Sequence, residues 1–169
     1  MGVLGVTQQL AVHVPVLAFD PALVLELLEA ERGAVFVGVP TMMIAMLGHP
    51  DFGRRDLSSL RVAVSGGSPV PAGLVRQVEE RLGVRFSIVF GTTECSPLVT
   101  QVKPEALAED RAETLGTPLP QTEVMIADVA TGQPVPVGQP GELCARGYLV
   151  MRGYLRIEGR IKDMIIRGG

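Results

Sequence analysis

Leu60-Arg61-Val62-Ala63-Val64-Ser65-Gly66-Gly67-Ser68-Pro69-Val70-Pro71 is a short apolar run, strand-like in length, that ends in a glycine turn. From Pro71 to Leu82 the spacing predicts a helix, with Leu74, Val75, Val78 and Leu82 on one side and Gly83 at its end. Phe86-Ser87-Ile88-Val89-Phe90 repeats the strand pattern and again stops at a loop, Gly91-Thr92-Thr93-Glu94. Strand, helix and strand in that order imply a right-handed crossover and a parallel sheet.

Upstream, Asp20-Pro21 reads as a helix start, an N-cap acid followed by proline in the first turn. Leu23, Val24, Leu27 and Leu28 would form its apolar face, and Gly33 its stop. Val35-Phe36-Val37-Gly38-Val39 is a further strand, and a short helix from near Pro40 carries Met42, Met43 and Met46. The first 19 residues carry no formal charge, but there is no basic leader, and Gln8, Gln9, His13 and Pro15 interrupt the apolar run. Val6 stands where a myristoylation signal needs Ser or Thr. The expectation here is a buried strand and its surroundings, with no integral membrane segment.

Downstream of Pro97 the pattern changes. Thr122 to Asp128 and Glu142 to Arg146 read as strands joined by the proline- and glycine-rich Thr131-Gly132-Gln133-Pro134-Val135-Pro136-Val137-Gly138. The fold class expected is α/β, a parallel sheet with flanking helices followed by a small antiparallel β unit. The boundaries are 1–120 for the α/β part and 121–158 for the β unit.

At 169 residues the chain has the size of one ordinary domain. Hydrophobic residues make up 47%, Trp is absent and aromatics are 4%, so the core must be aliphatic. A net charge of −3 gives no basic field, which excludes nucleic acid as a partner. Cys95 and Cys144 have no CxxC spacing and imply no disulfide framework, which fits a cytoplasmic location. Cys95 lacks a neighbouring His in sequence and reads as a buried thiol rather than a nucleophile. His13 and His49 are isolated and make neither a metal site nor a triad, and the Gly-x-Ser-x-Gly elbow of serine hydrolases is absent.

The two loops carry the chemistry. In open parallel sheets, ligands bind beyond the carboxyl ends of the strands, so Ser65–Pro71 and Gly91–Glu94 would line one crevice. Glycines let backbone approach a flat base or a phosphate. Thr92 and Thr93 hydroxyls can donate to phosphate oxygens, and Glu94 can hold magnesium, a hard cation that prefers oxygen. No Walker sequence is present. Read alone, each glycine turn is also an ordinary tight turn, and Glu94 an ordinary acid near a helix start.

Phe90-Gly91-Thr92-Thr93-Glu94 resembles the Tyr-Gly-x-Thr-Glu motif of the adenylate-forming superfamily, which includes acyl-CoA synthetases, luciferases and peptide-synthetase adenylation domains. Ser65–Pro71 resembles its adenine-side loop, and Asp56-Leu57-Ser58-Ser59-Leu60-Arg61 is a further familiar stretch. Gly141-Glu142-Leu143-Cys144-Ala145-Arg146-Gly147, running on to Gly153, resembles its Gly-Glu-Leu motif. Gly159-Arg160-Ile161-Lys162-Asp163-Met164-Ile165-Ile166-Arg167-Gly168-Gly169 is similar to its hinge motif, with an ending closest to acyl- and aryl-CoA ligases.

The resemblance implies ATP/AMP, Mg2+ and coenzyme A, and a fatty or aryl carboxylate as substrate. It implies that Thr93 contacts the α-phosphate and that Glu94 ligates magnesium. It implies that Phe90 stacks on adenine where the family has tyrosine, and that Gly67, Ser68 and Pro69 pass the adenine with their backbone. Gly91 and Thr92 complete that loop, Arg160 reaches the ribose, and Lys162 is the hinge about which a C-terminal domain swings. Val39-Pro40-Thr41-Met42 lies near the family's acyl pocket. By the same comparison the phosphate loop upstream and the catalytic lysine downstream fall outside the chain, and 159–169 is the hinge and the start of a C-terminal domain. Gly153-Tyr154 runs straight into Leu155-Arg156-Ile157-Glu158, where the family inserts a segment whose aspartate grips the ribose. The expectation is a fragment of a carboxylate CoA ligase, weak or inactive alone, with self-association through exposed strands. The alternative is a non-catalytic remnant that binds AMP or a partner.

Overall fold

The computed structural model describes residues 2–151. In chain order its helices are α1 (Gly2–Gln8), α2 (Pro21–Ala30), α3 (Pro40–Leu47), α4 (Ala72–Leu82) and α5 (Ala108–Glu113). Its strands are β1 (Val35–Val37), β2 (Val62–Gly66), β3 (Arg85–Phe90), β4 (Thr100–Gln101), β5 (Thr117–Pro118), β6 (Thr122–Ala127) and β7 (Glu142–Gly147). The first five form one sheet in the order β1-β2-β3-β4-β5, and the last two form a separate pair. β1, β2 and β3 are parallel, whereas β4 and β5 run antiparallel beside them. The fold class therefore stands as read, a mostly parallel helix-flanked sheet with a small antiparallel unit.

Apolar residues at alternate strand positions build the core. Ala63 of β2 and Phe86 and Ile88 of β3 point to one face, where Leu74, Val75 and Val78 of α4 meet them with Met43, Met46 and Leu47 of α3. Phe86 is fully buried, and the other members of this core are aliphatic. The methionines of α3 are split: Met43 and Met46 are core, while Met42 is half-buried.

Helix α2 starts as its sequence dictates. The Asp20 carboxylate accepts from the Leu23 N–H at 2.9 Å, capping the first turn. Its buried face is Val24, Leu25 and Leu28, and Leu23 is exposed. The apolar stripe is thus rotated from the one expected. Its end also differs. The Gly33 N–H donates to the Leu28 carbonyl at 2.9 Å and the Arg32 N–H to that of Glu29 at 3.2 Å, so Arg32 holds the left-handed position with φ of 49°. Gly33 serves a different need, since a Cβ there would lie 2.8 Å from Leu28 Cδ2.

The N-terminal stretch corrects the sequence reading more fully. Residues 2–8 are helical, and residues 9–20 join no strand. Leu10, Val12 and Leu17 are among the most exposed apolar side chains of the chain. A strand needs a neighbour to accept its backbone groups, and among the described residues none is paired with this stretch.

Sequence alone did not reveal the ion pair that ties α4 to the helix after β4. The Arg111 guanidinium grips Glu79 at 2.7 and 3.2 Å, and Glu79 also accepts from the Phe86 N–H at 2.9 Å. Arg111 bonds in addition to the Ala106 carbonyl. Burial pushes the Glu79 carboxyl up. The hydrogen bonds from Arg111 and Phe86 and the positive charges of Arg111 and Arg85 outweigh it, and hold the group below its ordinary value of 4.5.

Two stability predictions follow from these contacts. Arg32→Gly removes a left-handed non-glycine residue and should raise unfolding free energy by about 1 kcal/mol in urea titration. A carboxyl with a lowered folded pKa stabilises the fold above its unfolded pKa and loses that contribution as pH falls through the folded one. Glu79→Gln should therefore destabilise the chain by about 1–3 kcal/mol at pH 7, with the gap to the parent closing as acid titrates the carboxylate.

Candidate functional site

The site rests on adjacency in the sheet. β2 and β3 are direct parallel neighbours, in register from Val62 opposite Arg85 to Gly66 opposite Val89. Both strands therefore finish at the same end of the sheet, and the loops around Ser68 and Thr93 leave it side by side. The helix between them, α4, returns the chain to the opposite end.

The two loops use glycine differently. β2 extends further than its sequence suggests, so Ser65 and Gly66 belong to the strand, and the turn begins at Gly67. A Cβ on Gly66 would sit 2.3 Å from the Val89 carbonyl oxygen, so close strand packing demands glycine there. Gly67 faces open space, but its φ of +80° selects glycine. Ser68 and Pro69 follow, both exposed.

After β3 the backbone folds tightly on itself. A Cβ on Gly91 would meet the Pro97 carbonyl oxygen at 1.9 Å and Leu98 Cα at 2.7 Å. Thr93–Cys95 form one 3-10 turn, Ser96 takes a left-handed φ of 51°, and Val99 N–H returns to the Phe90 carbonyl at 2.8 Å. This loop presents Thr92 and Thr93 to solvent and leaves Phe90 and Glu94 half-buried. The Glu94 carbonyl accepts from the Met151 N–H at 2.9 Å, so the chain leaving the small β unit comes back to this loop.

The structure thus brings Gly67, Ser68, Pro69, Phe90, Gly91, Thr92, Thr93 and Glu94 to one end of the sheet. Arg160 and Lys162 lie outside the described residues. So does the junction at Gly153-Tyr154. The oxygen donors at this end are hydroxyls and one carboxylate, the set that a magnesium-phosphate group takes. Among the described residues no three His, Cys, Asp or Glu side chains gather as a metal cluster. Magnesium bound with a nucleotide needs only one or two protein carboxylates, because phosphate and water supply the rest.

Geometry adds residues that the motifs did not single out. Pro97 and Leu98 form the wall against which Gly91 packs. Thr100 lies opposite Phe90 in β4, buried, with its hydroxyl unpartnered, as is that of Ser65. No sequence signal marks Thr100, because its place follows from the antiparallel return of the chain. Cys95 is half-buried rather than buried, and both cysteines are free thiols. Among the described residues no helix is long and apolar enough to cross a membrane.

The sequence matches the model of the AMP-binding enzyme family over residues 1–155. It is 44% identical over 80% of its length to YngI of Bacillus subtilis, a candidate acyl-CoA synthetase, and covers 25% of that protein. It is 36% identical over 69% of its length to the mitochondrial medium-chain acyl-CoA ligase ACSF2 of Mus musculus, covering 19% of it. Similarity to the Danio rerio ACSF2 extends over 186 residues yet takes up 92% of this 169-residue chain, so that relative carries residues with no counterpart here. Among solved structures, the amide bond synthetase McbA of Marinactinospora thermotolerans superposes with a TM-score of 0.74 at 34% identity, over 91% of this chain and 32% of that one. The anthranilate CoA ligase AuaEII in complex with anthranoyl-AMP also gives 0.74, at 29% identity, over 83% of this chain and 26% of that one. The chain spans about a quarter or less of the length of these curated ligases from Bacillus subtilis and Mus musculus.

The glycines of the site separate by mechanism. Gly67→Ala should cost about 1–2 kcal/mol through its left-handed φ. Gly91→Ala should cost more, because its Cβ meets backbone that cannot rotate away, and denaturant titration of the two variants gives the order.

Proposed function

Because the chain belongs to the AMP-binding enzyme family, we propose that it is part of an ATP-dependent carboxylate CoA ligase and binds the adenosine end of an acyl-adenylate. One observation carries this reading, the adjacency of the Ser68 and Thr93 loops at the ends of neighbouring parallel strands. The carboxylate proposed is a fatty or aryl acid, in keeping with the relatives' names, and the setting proposed is cytoplasmic.

In this chemistry the substrate carboxylate attacks the α-phosphorus of ATP, and the bond to pyrophosphate breaks. The thiol of coenzyme A then attacks the acyl carbonyl, and AMP leaves. The Phe90 ring offers a stacking face for adenine without the hydroxyl of the tyrosine usual in the family. Backbone at Gly67, Ser68 and Pro69 passes along the edge of the base. The Thr93 hydroxyl, exposed at the loop tip, donates to the α-phosphate, where charge shifts as the bond forms. Glu94 would hold Mg2+, which when bound neutralises phosphate charge. Arg160 and Lys162 are assigned ribose contact and hinge by motif.

We also propose that a ribose-binding segment is deleted at Gly153-Tyr154, and an independent read of the gene that contains the segment would remove that part. With that segment's ribose contact missing, nucleotide binding and turnover should both fall, since a hydrogen bond to a charged group contributes about 1.5–3 kcal/mol. Association through exposed strands belongs to the same proposal.

Titration with a non-hydrolysable acyl-adenylate mimic tests the binding reading, with saturable binding expected. Phe90→Ala should weaken it about three- to tenfold. No binding, or binding indifferent to Phe90 and Thr93, overturns the assignment. Carboxylate-dependent pyrophosphate exchange, expected near background, separates an active ligase from a non-catalytic binder.

A further inference from the structure

The loop that carries Thr93 and Glu94 is fixed at its base by close contacts of its own. Gly91 packs against the Pro97 carbonyl and Leu98 Cα, and the Val99 N–H donates to the Phe90 carbonyl at 2.8 Å. The tip is held differently. The Cys95 N–H donates to the Thr92 carbonyl at 3.0 Å and the Ser96 N–H to that of Thr93 at 3.2 Å. Bonds of this short span fix the shape of a turn but not the direction in which it points.

A ring of backbone hydrogen bonds supplies that direction. At the base, the Val99 carbonyl accepts from the Leu119 N–H at 2.9 Å, and the Leu119 carbonyl from the Thr122 N–H at 3.1 Å. Thr122 of β6 lies opposite Gly147 of β7. The Gly147 carbonyl accepts from the Val150 N–H at 3.2 Å, and the next residue, Met151, donates its N–H to the Glu94 carbonyl at 2.9 Å. The ring thus leaves the base of the loop, crosses the small β unit and returns to the tip.

Several features hold this ring to one geometry. A Cβ on Gly147 would lie 2.8 Å from the Gln121 carbonyl oxygen, so β7 ends in close backbone contact with the start of β6. Gln121 and Ser96 take left-handed backbone, with φ of 59° and 51°. Non-glycine residues keep such backbone where their surroundings fix it. Leu149 is buried although Tyr148 before it is exposed, so a single side chain anchors the turn that leads to Met151.

We propose that this ring is a clasp by which the small β unit sets the pose of Thr93 and Glu94, with Leu149 and the Met151 N–H as its positioning groups. Both act through the Glu94 backbone, and so through the direction of the neighbouring Thr93 hydroxyl, rather than by contact with a ligand. A shift of about 1 Å in a positioned group can cost roughly 100-fold in rate, which is why such a frame matters to chemistry. The role at the phosphate rests on the nucleotide reading of this end of the sheet; the clasp itself does not.

Labelling and binding, both measured on the full chain, separate the clasp from its role. Cys95 lies in the tip and is a half-buried free thiol, so its alkylation rate reports how firmly the tip is held. In a Cys144→Ser background, Met151→Pro removes the N–H and should speed labelling about tenfold, whereas Met151→Ala keeps it and should leave the parent rate. Leu149→Ala keeps every N–H and shortens the anchor, and it should act in the same direction. It replaces the proline variant if far-ultraviolet circular dichroism shows that variant unfolded. In titration with the non-hydrolysable acyl-adenylate mimic, Met151→Pro should weaken binding about three- to tenfold. That loss should disappear in a Thr93→Val background, whereas a merely structural role would lower affinity alike in both. Labelling that neither Met151→Pro nor Leu149→Ala speeds overturns the clasp, whatever the chain binds. Faster labelling with unchanged affinity, or with an equal loss in both backgrounds, overturns the positioning role. A parent chain that binds no mimic overturns the nucleotide reading and the role with it, and labelling still decides the clasp.

Discussion

The parallel pairing of β2 with β3 is the constraint on which the molecule depends. Its register from Val62–Arg85 to Gly66–Val89 fixes which side chains face the helices and where both strands end. A slip of β2 by one residue against β3 would turn Ala63 out of the core and bring Val62 and Val64 into it, while Phe86 and Ile88 stayed in place. The close approach of Gly66 to the Val89 carbonyl oxygen locks the pairing at the end nearest the loops, because only a residue without Cβ fits. Core and candidate site are therefore set by one ladder.

The core of the fold was legible because local and global preferences agree there. Helix α4 has a clean apolar face, Leu74, Val75 and Val78, and closes at Gly83 with φ of 66°. Asp20 caps α2 as its position implies. The site was legible for a related reason: glycine at Gly67 and Gly91 answers backbone demands, and such demands leave a mark in sequence.

Legibility failed where the outcome depends on distant parts of the chain. The Glu79–Arg111 pair joins residues 32 apart in sequence, and neither belongs to a pattern that announces the other. Thr100 reaches the side of Phe90 only because the chain doubles back through a tight loop and pairs antiparallel. The left-handed position at the end of α2 fell to Arg32 although a glycine stands next to it, because Gly33 is needed where a Cβ would strike Leu28.

The N-terminal stretch shows why sequence pattern and structure can part without either being at fault. Alternating valines at 12, 14 and 16 record a preference for a strand, but a strand is a relation between two backbones, and its partner must be in place. Apolar residues without charge suit positions covered on both sides, as strands of parallel sheets usually are. The valines of β1 and of residues 12–16 have that composition and lack that cover, whereas Met43 and Met46, a few residues beyond β1, have both. Composition suited to an interior but placed at a surface shows that pattern alone sets a preference, and that cover has to be supplied by another part of the fold.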